Sequence, residues 1–86
     1  MASLPSDPLL AAFANVLRRR RQEARLSQEE LAHRAGVSIR YVSLLESRRH
    51  QPSLATLKGL SDGLGTSLGQ LAHEIEAELE RTRSGG

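Results

Sequence analysis

The segment Ser27–Glu46, SQEELAHRAGVSIRYVSLLE, holds two helix starts and one helix stop, which leaves the chain little freedom in how it folds there. Ser27 is a good N-cap, and Glu30 stands where a capping box needs it. Leu31, Ala32 and Ala35 then recur on one side at helical spacing, while Glu29, Glu30 and His33 point elsewhere. Gly36 stops this helix at a position where a left-handed backbone is cheap only for glycine. Val37 can plug the core at the turn, and Ser38 caps a second helix over about Ile39 to Glu46.

Helical geometry divides that second helix into two faces. At about 100° per residue, Val42, Leu45 and Glu46 share the inner side, and Arg40, Ser43, Leu44 and Ser47 share the outer side. Ile39 and Tyr41 lie on the flanks. A rod of this length, roughly 13 Å at about 1.5 Å per residue, fits a DNA major groove about 12 Å wide. Two short helices joined by a glycine-containing turn, the second with a displayed face, form the helix-turn-helix pattern.

From about Phe13 to Leu71 the chain resembles the phage repressor and Cro family, the Xre-type helix-turn-helix proteins. The resemblance rests on several parts in order: LSQEELAHRAGVS from Leu26, YVS from Tyr41, Leu45 with Glu46, PSL from Pro52, and Leu64-Gly65 followed by Ser67-Leu68. It implies an all-α, compact five-helix lambda-repressor-like domain that binds double-stranded DNA. It further implies a transcriptional regulator, a dimeric repressor or autoregulatory controller, with the second helix of the motif in the major groove of a near-palindromic operator.

Composition is consistent with such a chain. Eighty-six residues predict one domain, and a hydrophobic content of 38% suffices for a small helical core. The absence of cysteine excludes disulfides and thiolate metal sites, and suits a reducing cytoplasm. The apolar run Leu9–Leu17 is too short to span a membrane, and it precedes its arginines, the reverse of a secretion signal. The net charge of +2 hides an asymmetry: residues 1–58 hold ten Lys/Arg against five Asp/Glu, and residues 59–86 hold two against five. A basic front and an acidic back suit a molecule that turns one face to phosphates.

In chain order, residues 1–6 read as a loose arm, and Asp7-Pro8 starts a helix that runs to about residue 24. Its apolar stripe, Leu10, Phe13, Ala14 and Leu17, continues onto Arg21. A lone buried guanidinium costs several kcal/mol, so Arg21 needs an acid, and the inward Glu46 is the expected partner. The resemblance implies the same structural ion pair. Arg18, Arg19 and Arg20 radiate around the helix and read either as phosphate contacts or as solvated surface. Arg25 and Arg48 stand at helix ends where the resembled family usually has glycine, at roughly 1 kcal/mol each if the backbone there is left-handed.

Ser53 caps a fourth helix, 54–64, with Leu54, Leu57, Leu60 and Leu64 as its core face, and Gly59 and Gly63 either allow close helix approach or mark a weakly stable helix. Ser67 with Gln70 reads as a second capping box opening a fifth helix, 68–80, before a frayed tail, 81–86. Ile75 and Leu79 extend its apolar stripe beyond the part that the core needs, which makes them dimer-contact candidates; folding back onto the first helix is the alternative.

The site expected from these residues combines base reading by Ser38, Ile39, Arg40 and Leu44 with phosphate contacts from Gln28, Tyr41, Ser43, Arg49 and His50. Gln28, Tyr41 and Ser43 carry their roles by resemblance. Glu29 and Glu30, beside that face, are where an activator would touch RNA polymerase. No cofactor, metal, membrane or small-molecule ligand is implied. His33, His50 and His73 are scattered and accompany no catalytic motif, so no enzyme is expected. The rival reading is a helical protein-interaction module such as an antitoxin.

Overall fold

The computed structural model describes residues 7–85, and the expected arm at residues 1–6 lies outside them. Five helices follow one another, α1 (Pro8–Glu23), α2 (Gln28–Ala35), α3 (Ile39–Glu46), α4 (Leu54–Gly63) and α5 (Leu68–Gly85), with no strand among the described residues. Each starts where a side chain satisfies backbone donors that a helix N-terminus leaves free. The Asp7 carboxylate accepts from the Leu9 and Leu10 amides at 2.9 and 3.3 Å. Ser27 and Glu30 form the reciprocal box, with bonds of 3.0 and 2.8 Å. The hydroxyls of Ser38, Ser53 and Ser67 each accept one amide at 3.0 Å. The expected box at Ser67 is only half formed, because the Gln70 side-chain amide donates to Glu74 at 3.0 Å.

Leu17, Leu31, Val42, Leu45, Leu60 and Leu71 are fully buried and draw all five helices around one core. Each contributes on the order of 1.5–3 kcal/mol by leaving water. The stripe on α1 is wider than its spacing suggested, since Ala12 and Val16 are buried too. The reason is that α1 is covered twice, by α3 and by α5.

The α4 helix packs on α2, and Gly59 and Gly63 allow it to do so closely. A Cβ at Gly59 would lie 2.9 Å from the Ala35 carbonyl oxygen, and one at Gly63 would lie 3.1 Å from Arg34 Cβ. The expected core face of α4 needs one correction. Leu54 is 71% exposed, because this helix meets the core only from Leu57 onward. Buried Ser61 lies deeper, its hydroxyl donating to the Lys58 carbonyl at 2.8 Å.

α5 runs antiparallel to α1, with Asn15 and Arg19 reaching Glu78 and Arg20 reaching Glu74. Ile75, at 9% exposure, and half-buried Leu79 pack against the core of their own chain, so α5 folds back onto α1, the alternative to an open stripe. Residues 81–85 continue the helix rather than fray, helped by the Thr82 hydroxyl on the Glu78 carbonyl at 3.1 Å and by Arg81 on the Glu78 carboxylate. Arg19 and Arg20 likewise bind α5 carboxylates instead of facing phosphate or water alone.

Arg20 hydrogen-bonds Glu74 through Nε and Nη2 and holds its carboxyl down at about 2. Burial pushes the Glu78 carboxyl up, but bonds from Arg81, Arg19 and Asn15 outweigh it and leave the group lowered. A carboxyl lowered in the folded chain stabilises it above the unfolded value, near 4.5, and loses that contribution as pH falls towards about 2. Thermal melts from pH 7 to 2.5 should show the wild-type midpoint falling more steeply than that of Glu74→Gln. Gly59→Ala should lower stability by about 1–3 kcal/mol, despite alanine's better helix propensity, since the added carbon meets backbone rather than a movable side chain. For a domain of this size that is a midpoint loss of roughly 4–8 °C per kcal/mol, read by calorimetry.

Candidate nucleic-acid interface

The presented helix is α3, and its angle is set from beneath. Glu46, its last residue, is buried, and its carboxylate accepts from Arg21 Nε at 2.6 Å and from Arg21 Nη2 at 3.1 Å. Arg21 Nη1 donates onward to the Leu26 carbonyl at 2.8 Å. The pair expected from the inward positions of these residues is therefore present and bidentate, the strong arrangement for arginine and carboxylate. The bond to Glu46 holds the Arg21 guanidinium above its ordinary pKa, against the opposing effect of burial.

A third donor was not anticipated. The Gln28 side-chain amide bonds Glu46 Oε1 at 3.0 Å, which ties the start of α2 to the end of α3. Gln28 is thus half-buried, with one amide hydrogen engaged by Glu46 and the second still able to donate. Spacing along the chain carried no signal for this bond, because the turn at Gly36 decides which α2 side chain faces Glu46. That turn has the expected left-handed glycine, φ 75°, with the Val37 amide donating to the Ala32 carbonyl at 3.0 Å and Val37 packed on the core.

With Val42, Leu45 and Glu46 buried, the opposite side of α3 is displayed. Arg40 and Ser43 are exposed, Leu44 is half-buried, and Ile39 is 47% exposed. Arg40 forms no ion pair among the described residues. Ser38 is exposed but caps the helix, so its oxygen is occupied while its O–H remains able to donate. Half-buried Tyr41 meets His50 edge-on, ring centroids 5.4 Å apart at 88°, which joins α3 to the loop behind it. His50 Nδ1 lies 3.1 Å from the Arg49 carbonyl oxygen, and the Arg49 side chain is exposed with no acidic partner among the described residues. Arg40, Ser43 and Leu44 therefore share a face, Tyr41 and His50 touch at its edge, and Gln28 turns inward.

Residues 17–71 match the family model described as helix-turn-helix. The chain belongs to the helix-turn-helix family. It is 36% identical to the control protein C.MunI of a Mycoplasma species over 67 residues, 77% of this chain and 90% of that one. Among solved structures it resembles ClgR, the clp gene regulator of Corynebacterium glutamicum, with a TM-score of 0.82 and 28% identity over 88% of this chain and 81% of that one. The fold also matches the restriction-modification controller protein C.Esp1396I, solved as a tetramer with its natural 35 base-pair operator. There the TM-score is 0.77 at 24% identity, over 83% of this chain and 93% of that one.

Helix-turn-helix geometry separates residues that hold α3 from residues that α3 displays. Glu46→Gln should cost about 3–5 kcal/mol of stability in denaturant unfolding, because it leaves the Arg21 guanidinium, 13% exposed, without its charge partner. Arg40→Ala should stay within about 0.5 kcal/mol of wild type, since the side chain is exposed and unpaired.

Proposed function

We propose that this protein is a sequence-specific double-stranded DNA-binding transcriptional regulator, a dimeric repressor or autoregulatory controller that lays α3 in the major groove of a near-palindromic operator. The observation that carries this reading is the arginine at the centre of the displayed face of α3. Arg40 is exposed and unpaired on a helix capped at its start by Ser38 and pinned at its end through Glu46. A guanidinium so placed suits guanine O6 and N7 together, worth about 1–3 kcal/mol of discrimination. Ile39 and Leu44 offer apolar contact to thymine methyl groups, and Ser38 one further donor. Phosphate contacts fall to Tyr41, Ser43, Arg49, His50 and the second amide hydrogen of Gln28, whose first holds Glu46.

Dimerisation is the expected route to useful affinity, because one short helix reads only a few base pairs. Among the described residues Leu9 and Leu54 are the exposed large hydrophobics outside α3, and Leu9 borders an apolar groove with Phe13, Pro52, Leu57, Ala72 and Ile75. A second copy of this chain is the occupant we assign to that surface, which Ile75 of α5 also lines. Contact with RNA polymerase along α2 would fall to Glu29, since Glu30 is engaged in the capping box. The protein acts in the cytoplasm, where its DNA is, as a binding protein rather than an enzyme. No described helix is long and apolar enough to cross a membrane.

Titration against duplex from the protein's own upstream region and against scrambled duplex, at several salt concentrations, tests the reading. Tighter binding to the upstream duplex, weakening steeply as salt rises, is the expected result. Arg40→Ala should lose the preference between the two duplexes and keep most of the salt dependence. Absence of binding to random-sequence duplex pools even at low salt would overturn the proposal. Leu54→Glu should shift the protein towards monomer in sedimentation and weaken operator binding without changing the helix content.

A further inference from the structure

Four helices in this chain end alike, and the difference between them is informative. After α1, α2, α3 and α4 the backbone turns left-handed at one residue, with φ of 60° at Arg25, 75° at Gly36, 64° at Arg48 and 73° at Gly65. In each case the next amide closes the turn on a carbonyl inside the helix: Leu26 on Arg21 and Val37 on Ala32 at 3.0 Å, Arg49 on Leu44 and Thr66 on Ser61 at 2.9 Å. Two of the four positions carry glycine, the residue that takes this conformation without strain. The other two carry arginine, where a side chain makes the same conformation unfavourable.

The two arginines occupy related places. The Arg21–Glu46 bridge holds the last turn of α1 against the last residue of α3, so the turns at Arg25 and Arg48 leave from the two ends that it joins. Gln28, the first residue of α2, bonds the same carboxylate. Arg25 and Arg48 are both exposed, and neither makes an ion pair among the described residues. Glycine ends α2 and α4, away from this junction. Strain retained at two sites around one junction, in exposed cations without an ion pair among the described residues, points to a binding role.

We propose that Arg25 and Arg48 form a phosphate clamp on the DNA backbone, straddling the Arg21–Glu46 bridge. This rests on the DNA-binding reading above and adds two contacts to it. A phosphate contact carries no sequence information, so the clamp sets affinity and register and leaves base preference to α3. Each contact adds about 0.9 to the slope of log affinity against log salt, equivalent to roughly tenfold in affinity near 0.1 M.

The test compares wild type with Arg25→Gly, Arg48→Gly and the double variant, each measured for thermal midpoint and for salt-dependent binding to selected and scrambled duplexes. Glycine should leave the midpoint unchanged or higher, because it relieves the left-handed strain. Each single variant should weaken both duplexes about tenfold and reduce the salt slope by about 1, and the double variant by about 2. Arg25→Lys and Arg48→Lys, which keep the charge, should retain most of the slope, and Arg83→Ala, a charge lost from the end of α5, should leave it near wild type. Glycine variants with a wild-type slope on DNA that the wild type binds would overturn the clamp while leaving the regulator reading in place. A wild-type protein that binds no duplex would overturn both. A slope lowered as much by Arg83→Ala would also overturn the clamp, since it would assign the effect to net charge.

Discussion

One buried carboxylate decides how this molecule presents itself. Glu46 gathers Arg21 from α1 and Gln28 from α2 at the end of α3, and Arg21 passes a further bond to the Leu26 carbonyl. Removing two charges from water costs several kcal/mol, and the attraction between them offsets this only when the remaining donors and acceptors are also satisfied. Here every buried polar side-chain atom among the described residues has a partner. Such an arrangement is a weak source of net stability and a strong source of geometry. Hydrophobic packing alone would allow α3 to rock on Val42 and Leu45; the three directional bonds on Glu46 leave it one angle.

The charge asymmetry of the sequence acquires a different meaning in three dimensions. Of the five acidic residues of the second half, Asp62, Glu76 and Glu80 are exposed, and the other two are not surface groups. Glu74 and Glu78 turn inward and neutralise Arg20 and Arg19, so α5 is fastened to α1 by groups that looked like surface. Lys58, Arg81 and Arg83 are also matched by Asp62, Glu78 and Glu80. Among the described residues the arginines left without an ion pair are Arg18, Arg25, Arg34, Arg40, Arg48 and Arg49, all between residues 18 and 49. Unmatched positive charge is therefore concentrated on the segments that frame α3.

Much of this was legible in the sequence, for local reasons. Helix starts at Asp7, Ser27, Ser38, Ser53 and Ser67 depend on a side chain reaching its own backbone, and all appear where the residues indicate. The Arg21–Glu46 pair was legible because each residue falls on the inward side of its own helix. What was not legible depended on how helices lie against one another. The Leu54 position looks apolar and inward by spacing, but α4 reaches the core one turn later. Ile75 looked uncovered because nothing in the spacing showed that α5 folds antiparallel onto α1. Gln28 matches a phosphate-contacting position of the resembled family, and only the packing of α2 on α3 shows that its amide also bonds Glu46.

The central claim is that α3 enters the major groove, once per protomer of a two-fold dimer. Methylation protection at guanine N7, on an operator selected from random sequence, tests it most directly, because that atom lies on the major-groove edge. The account predicts two short protected patches, related by two-fold symmetry and centred about 34 Å or a multiple apart, with protection lost in Arg40→Ala. Protection confined to minor-groove adenine N3, or a single patch with no symmetric counterpart, would contradict it.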